Sequence, residues 1–205
     1  MKVVLALPSN CEQNYFSRVF VLAKGIGVFN LSYEAFKDCL LDIRELRDAA
    51  LIATTYAGYA RIGEIVRNKA SCKPNPPLNK GQIEITPSHM LLSIKTEKTL
   101  QWRKVPVSRE KEAWLVNIIQ KWLSICDYEL FPYSTRWAEK RFEKYFDTQR
   151  IHLLRHWATT HALQGHRTKE LLPPQYIAKF GGWTQFDTFY RTYWHYIVED
   201  FIDKV

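Results

Sequence analysis

The chain has 205 residues, 46% of them hydrophobic and 24% charged, the proportions of one packed soluble domain with at most a short appendage. It contains no run of about 18 apolar residues, so no membrane-spanning helix is expected. Lys and Arg number 29 against 21 Asp and Glu, a net charge of +8 that favours polyanionic partners without naming one.

The opening MKVVLALPSN has too short an apolar stretch for a signal peptide and reads as part of the fold. Glu12 to Lys24 carries a helical pattern through Tyr15, Val19 and Leu22, with Gly25 as its stop. Ser32 is placed to N-cap a helix running to about Asp42. From Arg47 to about Ile65 the spacing predicts one longer apolar helix, with Leu51, Ile52, Thr55 and Tyr56 facing inward. Pro74, Pro76 and Pro77 forbid regular structure between Ser71 and Gly81. Three short strands follow, Gln82 to Thr86, Met90 to Ile94 and Trp102 to Val107, with Lys95-Thr96-Glu97-Lys98 as the turn between the last two.

The remainder reads as helices: Arg109 to Ile125, Thr135 to Phe146, and His152 to Leu163, stopped by Gly165. Pro174 suits the first turn of a helix through Phe180, closed by Gly181-Gly182. Thr184 and Asp187 have capping-box spacing and open a last aromatic helix. The fold class is therefore α+β, mostly α, a helical core with a small three-stranded antiparallel sheet. Cys11, Cys39, Cys72 and Cys126 form no CxxC pair, which argues against a zinc ribbon or disulfide framework and for a reducing, cytoplasmic setting.

Three clusters carry candidate chemistry. Arg61 and Glu64 sit at the end of the apolar helix, where an arginine is either a solvated end charge or a buried guanidinium with a purpose. His152 and Arg155 stand at i and i+3 on one helical face. His152 and His156 have the spacing of a zinc-binding helix, but Leu153 stands where that motif needs a glutamate base, so no metal is expected; His156 and His161 read as core histidines. In Gly181-Gly182-Trp183 the indole N–H follows two glycines and can serve as a donor to a ligand. The helix beyond it holds Tyr190, Arg191, Tyr193, Trp194, His195 and Tyr196.

In this order the clusters resemble the tyrosine recombinase family, integrases of the phage type. Arg61 with Glu64, Lys95 in a hairpin that ends in Val-Pro-Val, His152 and Arg155 in HLLRHWATTHAL, Trp183 after two glycines, and Tyr193 in Arg-Thr-Tyr-Trp-His match its elements in sequence. LSYEAFKDCLLDIRELRDAAL is similar to the usual start of its catalytic domain. The pattern departs at Gly58, one place early before Arg61, in the longer gap from Trp183 to Tyr193, which leaves Tyr190 as an alternative nucleophile, and at the Pro173-Pro174 insertion. Lys98 is a weaker alternative to Lys95.

The resemblance implies a catalytic domain over residues 31–205, preceded by a linker or remnant of an N-terminal DNA-binding domain over 1–30. It implies cleavage and rejoining of double-stranded DNA through a 3′-phosphotyrosine, with no metal, ATP or other cofactor and no membrane partner. Arg61 and Arg155 would clamp the phosphate, His152 and Trp183 would hydrogen-bond it, Lys95 would act as general acid, Tyr193 as nucleophile, and Glu64 would orient Arg61. It also implies a monomer when free and a homo-tetramer on DNA. Type IB topoisomerases share the same chemistry, and a DNA-binding protein with a decayed site would share the basic helical character.

Overall fold

The computed structural model describes residues 31–68, 75–148 and 150–193. The expected helix over Glu12 to Lys24, Cys11, Cys72, Pro74, the rings of Trp194, His195 and Tyr196, and the tail from Val198 to Val205 lie outside the described residues.

Helix α1 (Tyr33–Leu41) begins as its cap predicts, the Ser32 hydroxyl accepting from the Ala35 N–H. Phe36 and Leu40 bury one face of it. Helix α2 (Leu46–Ala57) is buried from Asp48 to Ala57. Its alanines at 49, 50, 53 and 57 allow close approach of its neighbours, and Leu51, Ile52, Thr55 and Tyr56 all point inward as expected.

The single helix expected from Arg47 to Ile65 is instead two. The chain breaks after Ala57, Tyr59 takes φ 49°, and α3 (Ile62–Ile65) sets off with Arg61 at its N-cap. The cause is tertiary. A Cβ at Gly58 would lie 2.4 Å from Ile94 Cδ1, so only glycine admits the sheet here, and the turn aims the Tyr59 carbonyl at Arg155, whose Nη1 donates to it at 3.1 Å. A left-handed tyrosine costs about 1–3 kcal/mol, and a hydrogen bond to a buried cation is worth about as much.

After a short 3₁₀ turn (Lys80–Gln82), strands β1 (Ile83–Ile85), β2 (His89–Lys95) and β3 (Trp102–Ser108) form an antiparallel sheet in that order. Lys95 pairs with Trp102, Ile94 with Arg103, Leu92 with Val105 and Met90 with Val107. The period-2 alternation turns Met90, Leu92, Ile94, Val105 and Val107 into the core.

Helix α4 (Ala113–Ile125) begins four residues later than expected because Glu112 is drawn inward. Its carboxylate takes Arg167 Nε at 2.8 Å and Nη2 at 3.2 Å, both residues being almost wholly buried. Arg167 also donates to the carbonyls of Tyr56 and Ala57 and lies over the rings of Tyr56 and Tyr59. Helix α5 (Thr135–Phe146) is capped by Ser134, and α6 (Leu153–Leu163) is buried along its whole length. Helix α7 (Pro174–Gly181) ends in Gly182 at φ 72°. The last described helical residues are 186–193, so Gln185 rather than Thr184 stands at the cap and the expected Thr184–Asp187 box is not formed. No helix among the described residues is long and apolar enough to cross a membrane, and Cys39 and Cys126 are free thiols.

Candidate active site

Helix α3 begins with a guanidinium and a carboxylate facing each other. The buried Glu64 carboxylate accepts from the Arg61 N–H at 3.1 Å and from Arg61 Nη1 at 3.3 Å. Its shorter bond, 2.6 Å, is to Nη2 of Arg103 on β3. Arg103 Nη1 continues to the carbonyls of Gly58 at 2.7 Å and Phe180 at 2.6 Å. Sequence reasoning missed Arg103, although a signal existed: it occupies an inward position of a strand whose other inward residues are valines.

The β2–β3 hairpin folds back onto α3. The Glu97 N–H donates to Glu64 Oε1 at 3.3 Å, and Asn68 Nδ2 donates to Glu97 Oε1 at 2.7 Å. Gly63 has no room for a side chain there, since its Cβ would come within 2.7 Å of that same Asn68 amide. Lys95, the last residue of β2, pairs with Trp102, and its carbonyl accepts from Asn75 Nδ2 at 3.4 Å. Its ammonium makes no hydrogen bond or ion pair among the described residues, and Lys98 is exposed in the turn.

Buried polar helices need a reason, and α6 carries one at its start. His152 is its N-cap and is solvent-accessible, yet surrounding protein lowers its pKa by desolvation, followed by the charges of Arg155 and Arg61. Arg155 is 1% exposed. Burial first, then Arg61, lower its pKa too, which marks a place where an anion would relieve the charge. Its guanidinium lies 3.8 Å from the Trp183 ring centre, and its Nη2 is buried with no hydrogen-bond partner among the described residues.

The two glycines explain how Trp183 reaches that position. A Cβ on Gly181 would fall 1.7 Å from the indole, and one on Gly182 would meet Thr96 Cγ2 at 2.9 Å and Arg103 Nε at 3.0 Å. The indole therefore folds back over Gly181 while the hairpin presses on Gly182.

Tyr193 lies edge-on to Trp183 with ring centres 5.8 Å apart, and it also packs on His156 and Phe189, each at 5.1 Å. Its phenol acts electrostatically on Arg155. Tyr190 instead packs on Phe186 and Phe189. Arg61, Glu64, His152, Arg155, Trp183 and Tyr193 thus lie close to one another, and Lys95 ends the strand that enters the adjoining hairpin. His161 belongs to the core, bonded to the Tyr56 hydroxyl at 2.9 Å and the Leu31 carbonyl at 2.7 Å. Among the described residues no group of three His, Cys, Asp or Glu could hold a metal ion.

No protein-family model matches the sequence, and no curated protein matches it. Solved structures do. The chain matches the XerH site-specific recombinase bound to difH substrate, in a pre-cleavage complex, with a TM-score of 0.56 and 15% identity over 78% of this chain and 48% of that one. It matches the same recombinase on a palindromic difH substrate, in a post-cleavage complex, with a TM-score of 0.56 and 16% identity over 83% and 50%. The fold is tyrosine-recombinase-like. At these identities the shared property is the fold, and the chain spans about half the length of the recombinase chains it matches.

Proposed function

We propose that residues 31–205 are the catalytic domain of a tyrosine-type site-specific DNA recombinase, an integrase that cuts and rejoins DNA through a 3′-phosphotyrosine, and that residues 1–30 are a linker or remnant of a DNA-binding domain. The observation that carries this reading is the buried Arg155 Nη2, which has no hydrogen-bond partner among the described residues, on a guanidinium 3.8 Å from the Trp183 ring centre and close in charge to Arg61 and Tyr193. An orphaned buried donor beside a second cation calls for an anion of matching geometry, and a phosphodiester supplies its non-bridging oxygens. The DNA-bound complexes of XerH and the net charge of +8 support duplex DNA as that anion's source.

In the proposed reaction Tyr193 Oη attacks phosphorus, and the phenol proton leaves by way of His152. The bond from phosphorus to the 5′ oxygen breaks, and Lys95 protonates that oxygen. One ester bond is exchanged for another, so the step needs neither ATP nor a metal. Arg61 and Arg155 hold the charge that builds on the non-bridging oxygens, with Trp183 as support. Loss of one such donor costs about 10²–10³ in rate. Tyr193 is 3% exposed, so its attack requires the helical residues 186–193 to shift and uncover the phenol. The domain works in the cytoplasm on chromosomal, viral or plasmid DNA, as a monomer that assembles into a tetramer on its site.

The test is trapping. A library of nicked duplexes of randomised sequence, in which the cleaved fragment diffuses away, is mixed with the chain and resolved under denaturing conditions. A covalent protein–DNA adduct that disappears in Tyr193→Phe supports cleavage. An inert binder gives none with any duplex, and relaxation of supercoiled plasmid without recombinant product points to a topoisomerase.

A further inference from the structure

Arg103 reaches three separate parts of the site with one guanidinium: the C-terminal end of α2 at Gly58, the end of α7 at Phe180, and the Glu64 carboxylate on α3. It does so from the strand that follows the Lys95 turn. We propose that Arg103 is a positioning residue for strand cleavage, which locks the elements carrying Arg61, Lys95 and Trp183 into one geometry and keeps Glu64 from neutralising Arg61; this rests on the cleavage reading above.

Two features separate this role from ordinary core packing. The first is the division of Glu64. Its carboxylate bonds to Arg103 at 2.6 Å and to the Arg61 side chain at only 3.3 Å through one nitrogen, so Arg61 keeps most of its donor capacity for a ligand. Without Arg103, a buried carboxylate would turn fully onto its remaining cation. The second is the seat of Trp183. Arg103 Nη1 holds the Phe180 carbonyl, two peptide units before Gly182, and its Cδ and Nε fill the space against Gly182 where any side chain would collide. The indole under Arg155 is therefore placed by Arg103 through Phe180 and Gly182. Lysine keeps the charge but lacks the planar fork needed to serve three acceptors at once.

The experiment compares the whole chain with Arg103→Lys, Arg103→Ala and Arg103→Met. With the duplex recovered from the randomised nicked library, Arg103→Lys is expected to form adduct about a hundredfold more slowly at saturating DNA, a size typical of small misplacements, with little change in the duplex Kd. Guanidinium chloride at millimolar concentration is expected to restore adduct formation in Arg103→Ala where sodium chloride does not. A wild-type rate in Arg103→Lys, or a loss matched by equal loss of binding, overturns the inference. A readout independent of activity is the titration of His152 by NMR. With Glu64 turned onto Arg61, the field on His152 weakens and its pKa rises in Arg103→Met; an unchanged pKa overturns the inference. If the wild-type chain forms no adduct with any duplex, the cleavage reading fails by itself, and the His152 titration decides the role of Arg103.

Discussion

The guanidinium of Arg155 rests 3.8 Å from the ring centre of Trp183, while the carbonyl of Tyr59 holds its Nη1 from the opposite side of the chain break. Among the described residues Arg155 is thus fixed by an aromatic face and one backbone acceptor, which leaves the other edge of its fork for a ligand. Trp183→Ala removes the face, and a desolvated cation–π contact of about 2 kcal/mol corresponds to roughly thirtyfold slower adduct formation at saturating duplex. Trp183→Phe keeps a face and should lose less. Single-turnover cleavage checks both, and equal losses would mean that the indole N–H, not the face, is what matters.

Gly182 and Gly165 both have positive φ, at 72° and 78°, yet they should respond differently. A Cβ on Gly182 collides with Thr96 and Arg103, whereas one on Gly165 meets only Leu171 Cδ1 at 3.6 Å. Gly182→Ala should therefore cost about 1–3 kcal/mol more than Gly165→Ala in urea unfolding, since overpacking adds to the backbone strain both share.

Arg167 and Glu112 form a buried pair, and burial is outweighed by Glu112, so Arg167 is held above its usual pKa. Removal of one partner leaves an uncompensated buried charge. Arg167→Met and Glu112→Leu should each lose about 3–5 kcal/mol, while the double variant should lose clearly less than the sum. Urea titration of the four proteins measures the coupling.

His161 supplies a pH dependence with a definite sign. Burial lowers its pKa to about 4, below the unfolded value of about 6.5, so the unfolded chain binds more protons between those limits. The stabilisation is fully present above about pH 6.5 and is lost as pH falls toward 4, by about 3 kcal/mol in all. His152, also lowered, adds in the same direction. Chemical denaturation from pH 4 to 7 should show stability rising with pH, and His161→Gln should flatten most of that slope.

What the sequence revealed was what local signals govern. Ser32 and Ser134 cap their helices, Pro174 and Gly182 bound α7, and alternation marks the three strands within a residue or two. The grouping of Arg61, His152, Arg155, Trp183 and Tyr193 was legible only through the resemblance of their order to the tyrosine recombinase family. The break at Gly58 to Arg61 was not, because it depends on Ile94 approaching from the sheet and on Arg155 binding the Tyr59 carbonyl, both far away in sequence. Arg167, in an irregular stretch, gave no signal of its partner Glu112. Arg103 could have been noticed only by asking why a charge sits on the buried face of a strand.

The most direct measurement is the site of DNA attachment. Trypsin cleaves after Lys179, Arg191 and Lys204, so Tyr190 falls in the peptide of residues 180–191 and Tyr193 in that of residues 192–204. Mass spectrometry of the trapped adduct after nuclease and trypsin digestion should find the nucleotide on Tyr193 in the second peptide, and Arg155→Ala should slow its formation about 10²–10³-fold. Attachment within residues 180–191, or an adduct that forms as fast without Arg155, would contradict cleavage by a phenol beside that guanidinium.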